Sequence, residues 1–164
     1  MAPDTETLHP DVRIGHVHLK VSDVERAEQW YRDVLGFEIQ THYPGAAFLS
    51  AGGYHHHIGL NIWESRGGSP APRGTTGLYH FAILYPTRKE LARALKRVLE
   101  HDWPIDGASD HGVSEAIYLH DPDFNGIELY RDRDRSEWPH NPDGSLGMKT
   151  EPLDLRALLQ EADL

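Results

Sequence analysis

Residues 14–21, IGHVHLKV, alternate apolar and polar side chains, the pattern of a half-buried strand. Ser22 follows, with Glu25 three positions on, a spacing that predicts a capping box at a helix start. Ala27, Trp30, Tyr31, Val34 and Leu35 then fall on one helical face, and Gly36 supplies a C-terminal stop. Three short strands are predicted next, at 37–42, 46–50 and 55–63, with turns at Gly45 and at Gly52 and Gly53.

Residues 64–77, ESRGGSPAPRGTTG, are rich in Gly and Pro and read as a linker. The first order of elements then returns. Residues 78–85, LYHFAILY, predict a strand, and Thr87 with Glu90 predicts a second capping box. Leu91, Ala94, Leu95, Val98 and Leu99 repeat the apolar helical spacing. Strands are predicted at 105–108, 116–120 and 126–130. An internal repeat of this length implies duplicated modules packed together. The expected fold is α+β, with paired βαβββ modules at 12–63 and 78–131 in one domain over 1–131. Together they would form a cup-shaped mixed sheet with the helices outside. The tail, 132–164, follows a charged run, RDRDR, that reads as solvated surface. Leu153, Leu155, Leu158 and Leu159 suggest a short docking helix there, with no chemistry assigned.

Bulk composition narrows the partners. A formal net charge of −10 argues against nucleic acid and against an anionic membrane surface. No apolar run approaches the ~20 residues of a membrane span. The first residues, MAPDTETLHPDV, lack the basic-then-apolar pattern of a signal peptide. There is no cysteine, so disulfides, thiolate metal sites and cysteine nucleophiles are excluded. A cytoplasmic location is compatible with this.

Histidine is the outlier, with 12 residues. Side chains alternate across a strand, so His16, His80 and Glu128 each lie opposite the apolar face of their strand. All three should face the cup. Two imidazoles and a carboxylate suit Fe(II), Mn(II) or Zn(II), and three protein ligands leave positions open for catalysis. The plain alternative is a pair of hydrogen-bonded core histidines. Their matched places in two modules, with an inward glutamate, favour the metal. In the run Tyr54-His55-His56-His57, parity with Gly59 and Asn61 turns His57 and His55 toward the cup. An imidazole there suits general acid–base work. His111 and Tyr118 precede the last strand, each a weak signal alone, and Asp121-Pro122-Asp123 is a turn signal.

These residues resemble the vicinal oxygen chelate superfamily, and within it the single-domain type I extradiol catechol 2,3-dioxygenases. The resemblance covers roughly 12–131 and rests on GHVHLKV, WYRDVLGF, HHHIGL, GLYHFAIL and DPDFNGIELY. Two positions depart from the usual pattern: Ser109, where a different residue is usual, and Phe124, where Gly or Pro is usual. The resemblance implies Fe(II) on His16, His80 and Glu128, with Mn(II) as the other candidate. It implies an acid–base role for His57, with His56 as the register alternative. His111 and Tyr118 would hydrogen-bond a catecholate oxygen. The implied reaction opens a catechol-type ring with O2. The substrate would be a small aromatic diol, and a homo-oligomer is compatible.

Two other functions share the scaffold. A glyoxalase I-like isomerase usually takes a fourth ligand from the strand where Gly59 stands, and glycine offers none. Non-catalytic drug-binding relatives generally lack the three metal ligands.

Overall fold

A computed structural model describes residues 7–163. The first module runs β1 (Val17–Lys20), α1 (Val24–Asp33), β2 (Glu38–Tyr43), β3 (Ala46–Ser50) and β4 (Ile58–Asn61). The second runs β5 (Phe81–Leu84), α2 (Arg88–Glu100), β6 (Gly107–Asp110), β7 (Ser114–His120) and β8 (Gly126–Asp132). The tail adds a short strand, β9 (Glu151–Pro152), and a short helix, α3 (Leu155–Leu159). The α+β class holds, with two mixed sheets. One has strand order β1-β4-β3-β2 and the other β5-β8-β7-β6-β9. In each sheet the first strand of the module pairs parallel with the last, and the other pairs are antiparallel. β1 and β5 are therefore both edge strands.

The helices form where the apolar spacing predicts, but α1 starts one residue later than the Ser22 box implies. Asp23 is the N-cap, and its side chain accepts from the Arg26 backbone N–H. Ser22 is engaged elsewhere, donating its backbone N–H to Asp123 Oδ1 at 3.1 Å. In α2, Thr87 caps as expected and accepts from the Glu90 N–H. Gly36 adopts a φ of +82°, where a side chain would also collide with the Arg97 guanidinium.

One continuous apolar core links both modules. It contains Leu19, Val21, Tyr31, Leu49 and Leu60 from the first, and Leu91, Leu95, Ile117 and Leu129 from the second. Leu158 of α3 joins it fully buried. The modules meet through their helices and turns. Trp30 and Trp103 lie with ring centroids 5.2 Å apart, and Arg97 donates to the Leu35 carbonyl at 3.0 Å. Arg26 donates to Asp123 Oδ1 at 2.7 Å, and the Tyr31 hydroxyl donates to Asp121 Oδ2 at 3.0 Å. Asp121 also accepts from the backbone N–H groups of Asp123 and Asn125 and from the Asn125 side chain. The DPDFN segment is thus a turn and also a knot that ties the modules together. β1 and β5 each pair on one side and keep one open edge, and the two mixed sheets with their helices are the expected paired modules.

Candidate metal and substrate site

The second module brings four of the sequence-selected residues together. His80 immediately precedes β5, and its Nε2 lies 2.9 Å from Glu128 Oε2. Gly126 makes this approach feasible: a Cβ there would stand 2.2 Å from the Tyr79 carbonyl and 3.1 Å from His80 Cβ. Tyr118 of β7 sits opposite Glu128 of β8 in the sheet register. Its hydroxyl lies 3.4 Å from Glu128 Oε1 and 2.7 Å from His111 Nε2. Burial first, then the Glu128 charge and hydrogen bond, push the Tyr118 phenol up to about 12. Tyr118 is therefore a neutral hydroxyl at any physiological pH. His111 occupies the turn between β6 and β7, closed by its N–H to the Ser114 carbonyl at 2.9 Å. A chain of polar groups thus runs His80, Glu128, Tyr118, His111.

The first module gathers a different set. His16 immediately precedes β1, and its ring lies 4.4 Å from that of His56. His56 lies 5.1 Å from Phe48, and His18 lies 5.8 Å from Phe48 and 5.5 Å from Trp63. Burial, then the neighbouring His16, lowers His18 below the ordinary imidazole range. Burial, then the surrounding imidazoles led by His16, does the same for His56. Both favour the neutral ring with a free lone pair. Gly59 is the residue opposite His18, and a Cβ there would come within 3.0 Å of the His18 ring. Its lack of a side chain leaves room for the His18 ring and offers no ligand atom.

Strand parity turns His57 and His55 toward the cup, and the structure sets the His56 ring beside His16. β4 is bounded at Ile58, with ladder hydrogen bonds continuing to His57, whose N–H donates to the Leu49 carbonyl at 2.8 Å and whose carbonyl accepts from the Val17 N–H at 3.0 Å. His57 closes the preceding turn: its Nδ1 accepts from the Ala51 N–H at 3.3 Å, and its ring lies 4.7 Å from Tyr54.

His80 and Glu128 fit a metal as a donor pair. Two ligands at ~2.1 Å from a divalent ion and at right angles to each other are about 3 Å apart, close to the 2.9 Å observed. His16 is not in contact with either. Among the described residues no three His, Cys, Asp or Glu side chains converge closely enough to hold a metal. Within this chain His16 therefore stands apart from His80 and Glu128. Alternation fixes the face on which a residue lies, but it carries no information on how two sheets are set relative to each other. Sequence reading also missed the tail. His111 Nδ1 lies 2.9 Å from the Lys149 carbonyl, and nothing in the composition of 145–152 signals that contact.

Two βαβββ units, each with a histidine just ahead of its first strand, define an α+β scaffold of duplicated modules. The profile of the glyoxalase/bleomycin resistance protein/dioxygenase superfamily matches residues 13–129, and the chain belongs to that superfamily. It is 45% identical over 157 residues to a catechol-2,3-dioxygenase of Bacillus subtilis, covering 95% of this chain and 54% of that protein. It is 31% identical over 121 residues to biphenyl-2,3-diol 1,2-dioxygenase 3 of Rhodococcus globerulus, covering 73% of this chain and 63% of that one. The chain thus spans little more than half the length of these relatives. In three dimensions it matches a glyoxalase/dioxygenase from Nostoc punctiforme with a TM-score of 0.62 and 19% identity, over 79% of this chain and 98% of that one. That likeness carries the fold. No described helix is long and apolar enough to cross a membrane.

Proposed function

We propose that the chain is an extradiol dioxygenase that opens a catechol-type ring with O2 at a divalent iron or manganese ion. The observation that carries this reading is the convergence of His80 and Glu128, 2.9 Å apart, with Tyr118 and His111 alongside. Likeness to dioxygenases of vicinal diols supports the substrate class. His80 and Glu128 would hold the divalent ion, which would supply Lewis-acid binding of the diol and activation of O2. Tyr118 stands next to Glu128 and presents a neutral phenol oxygen to the diol. Among the histidines beside His16, the placement of His56 favours it over His57 as the acid–base group. The isomerase alternative lacks comparable support, since Gly59 lies under the His18 ring.

The third ligand, His16, comes from a second copy in this reading. β1 and β5 are both open edges, and open edges are templates for pairing. Ile14, two residues before His16, is 92% exposed, and Tyr79, next to His80, is 91% exposed. Large apolar side chains left bare beside two half-sites point to a covering partner. A two-fold pair that sets β1 of each copy near β5 of the other makes two equal sites, each with His16 from one chain and His80 and Glu128 from the other.

Iron-loaded protein, prepared without oxygen, is expected to consume O2 with catechol and give a yellow ring-fission product. No uptake across a panel of substituted catechols would sink the dioxygenase reading. The shared site has its own test. His16→Ala and Glu128→Ala should each be inactive alone. Random re-pairing of the two should restore about a quarter of wild-type activity, because half the dimers are mixed and each has one intact site. An inactive mixture of folded, exchanging chains rejects the shared site and leaves the ring-cleavage assay to stand separately.

A further inference from the structure

The tail takes part in the site through His111. Lys149 donates its backbone N–H to the His111 carbonyl at 3.1 Å, and His111 Nδ1 faces the Lys149 carbonyl at 2.9 Å. The Thr150 hydroxyl is more distant, 3.4 Å from Nδ1. The strap is anchored on both sides of this contact. Immediately downstream, β9 pairs with β6, Pro152 opposite Ser109 and Glu151 opposite Asp110. Further on, Leu158 is fully buried against the core, and Lys96 holds Asp163 at 2.6 Å. Upstream, Gly147 donates its N–H to the Pro139 carbonyl at 2.8 Å. The His111 turn is pressed onto this segment: a Cβ on Gly112 would come within 3.0 Å of Pro139 and 3.3 Å of the Lys149 side chain.

The chemistry of the two partners fixes the direction of the hydrogen bonds. A carbonyl oxygen only accepts, so the proton between His111 and Lys149 belongs to Nδ1. In the neutral ring Nε2 is then an acceptor. Its partner is the Tyr118 hydroxyl at 2.7 Å, which must donate its single proton to His111. The shorter contact takes the proton: Tyr118 gives up the longer 3.4 Å hydrogen bond to Glu128 Oε1 and turns its lone pairs toward the space beside it. With the opposite tautomer, Nε2–H would donate to Tyr118, and Tyr118 would donate toward Glu128. The polarity of a residue inside the site thus depends on a main-chain carbonyl in the tail.

We propose that the C-terminal segment is a polarity-setting strap. The Lys149 carbonyl is a positioning group that acts through His111 to make Tyr118 a hydrogen-bond acceptor for a neutral hydroxyl of the bound ligand. The identity of that hydroxyl as one of a diol rests on the proposed dioxygenase reading. The tautomer and the strap do not.

The experiment is a long-range 1H–15N correlation on the histidine-labelled full chain, loaded with diamagnetic Zn(II). The His111 signals are assigned by their loss in His111→Gln. In the wild-type protein His111 is expected to carry its proton on Nδ1 with Nε2 bare. Lys149→Pro removes the N–H to the His111 carbonyl and displaces the strap, and should move the proton to Nε2. Thr150→Ala keeps the carbonyl and should leave the spectrum unchanged. A wild-type His111 protonated on Nε2 overturns the proposal. So does a folded Lys149→Pro chain whose His111 tautomer is unaltered. The wild-type spectrum does not depend on Lys149→Pro, so it decides the matter even if that variant fails to fold. None of these outcomes depends on ring cleavage, so failure of the strap and failure of the dioxygenase reading are told apart.

Discussion

Beside the start of β1, His16 stands against His56, with His18, Phe48 and Trp63 around them. Beside the start of β5, His80 meets Glu128, and Tyr118 and His111 extend the polar chain toward the tail. The two modules share one order of elements, yet one offers neutral imidazoles on an aromatic floor and the other a carboxylate with a hydrogen-bonded phenol. Duplication alone would give two alike half-sites. On the proposed reading the modules divide the work: one would supply an imidazole donor and the other the anionic charge that offsets a divalent ion.

The largest effect should follow from removing the donor next to the carboxylate. His80→Ala is expected to lower metal affinity by at least ~100-fold, more than loss of an outer-shell partner does, and to abolish O2 consumption. Metal analysis after dialysis checks this, and full metal content in that variant would refute the proposed ligand set. Next come the two glycines on which the donor strands rest. Gly126→Ala places a Cβ 2.2 Å from the Tyr79 carbonyl, which is backbone and cannot swing aside. Gly59→Ala places one 3.0 Å from the His18 ring, the end of an exposed side chain that can rotate away. Overpacking costs about 1–3 kcal/mol where nothing yields. Gly126→Ala should lie at the upper end of that range and also weaken metal binding, because His80 is displaced. Gly59→Ala should lie at or below the lower end. Denaturant melts of the two side by side test the ranking, and equal losses would mean that His18 is as fixed as the main chain beside His80.

Much of this architecture could be read from residue order. The helical spacing at Ala27, Trp30, Tyr31 and Val34, and again at Leu91, Ala94, Leu95 and Val98, is a local property, and all eight residues are buried. Glu128 opposite Tyr118 is likewise a consequence of strand alternation and pairing. Three things were not legible. The relative setting of the sheets depends on long-range contacts such as Tyr31 with Asp121 and Trp30 with Trp103, which leave no periodic trace. The contact of His56 with His16 lies just ahead of both strands, beyond the ladder bonds at His57, where alternation gives no orientation. The tail contact with His111 is made by a main-chain carbonyl, a group every residue possesses, so no side-chain pattern announces it.

The smallest expected effect compares equivalent turns in the two modules. Between β3 and β4, Gly52 and Gly53 adopt φ of +65° and +73°, which glycine accepts freely. Between β7 and β8 the same left-handed conformation falls on Phe124, at a φ of +63°. An L-residue with a bulky side chain there costs roughly 1–2 kcal/mol. The Phe124 side chain recovers little by burial, being 70% exposed with its ring 5.8 Å from His120. Phe124→Gly relieves that strain, while the added freedom of the unfolded chain costs about 0.5–1 kcal/mol. The net expectation is a gain of roughly 0.5–1 kcal/mol, read as a higher melting temperature. The Arg26–Asp123 and Tyr31–Asp121 contacts should persist, since the turn keeps its backbone path. An unchanged or lower melting temperature would mean that the Phe124 ring contributes more through His120 than its exposure allows. The strain would then be held in place for that contact, next to the knot that sets the two modules relative to each other.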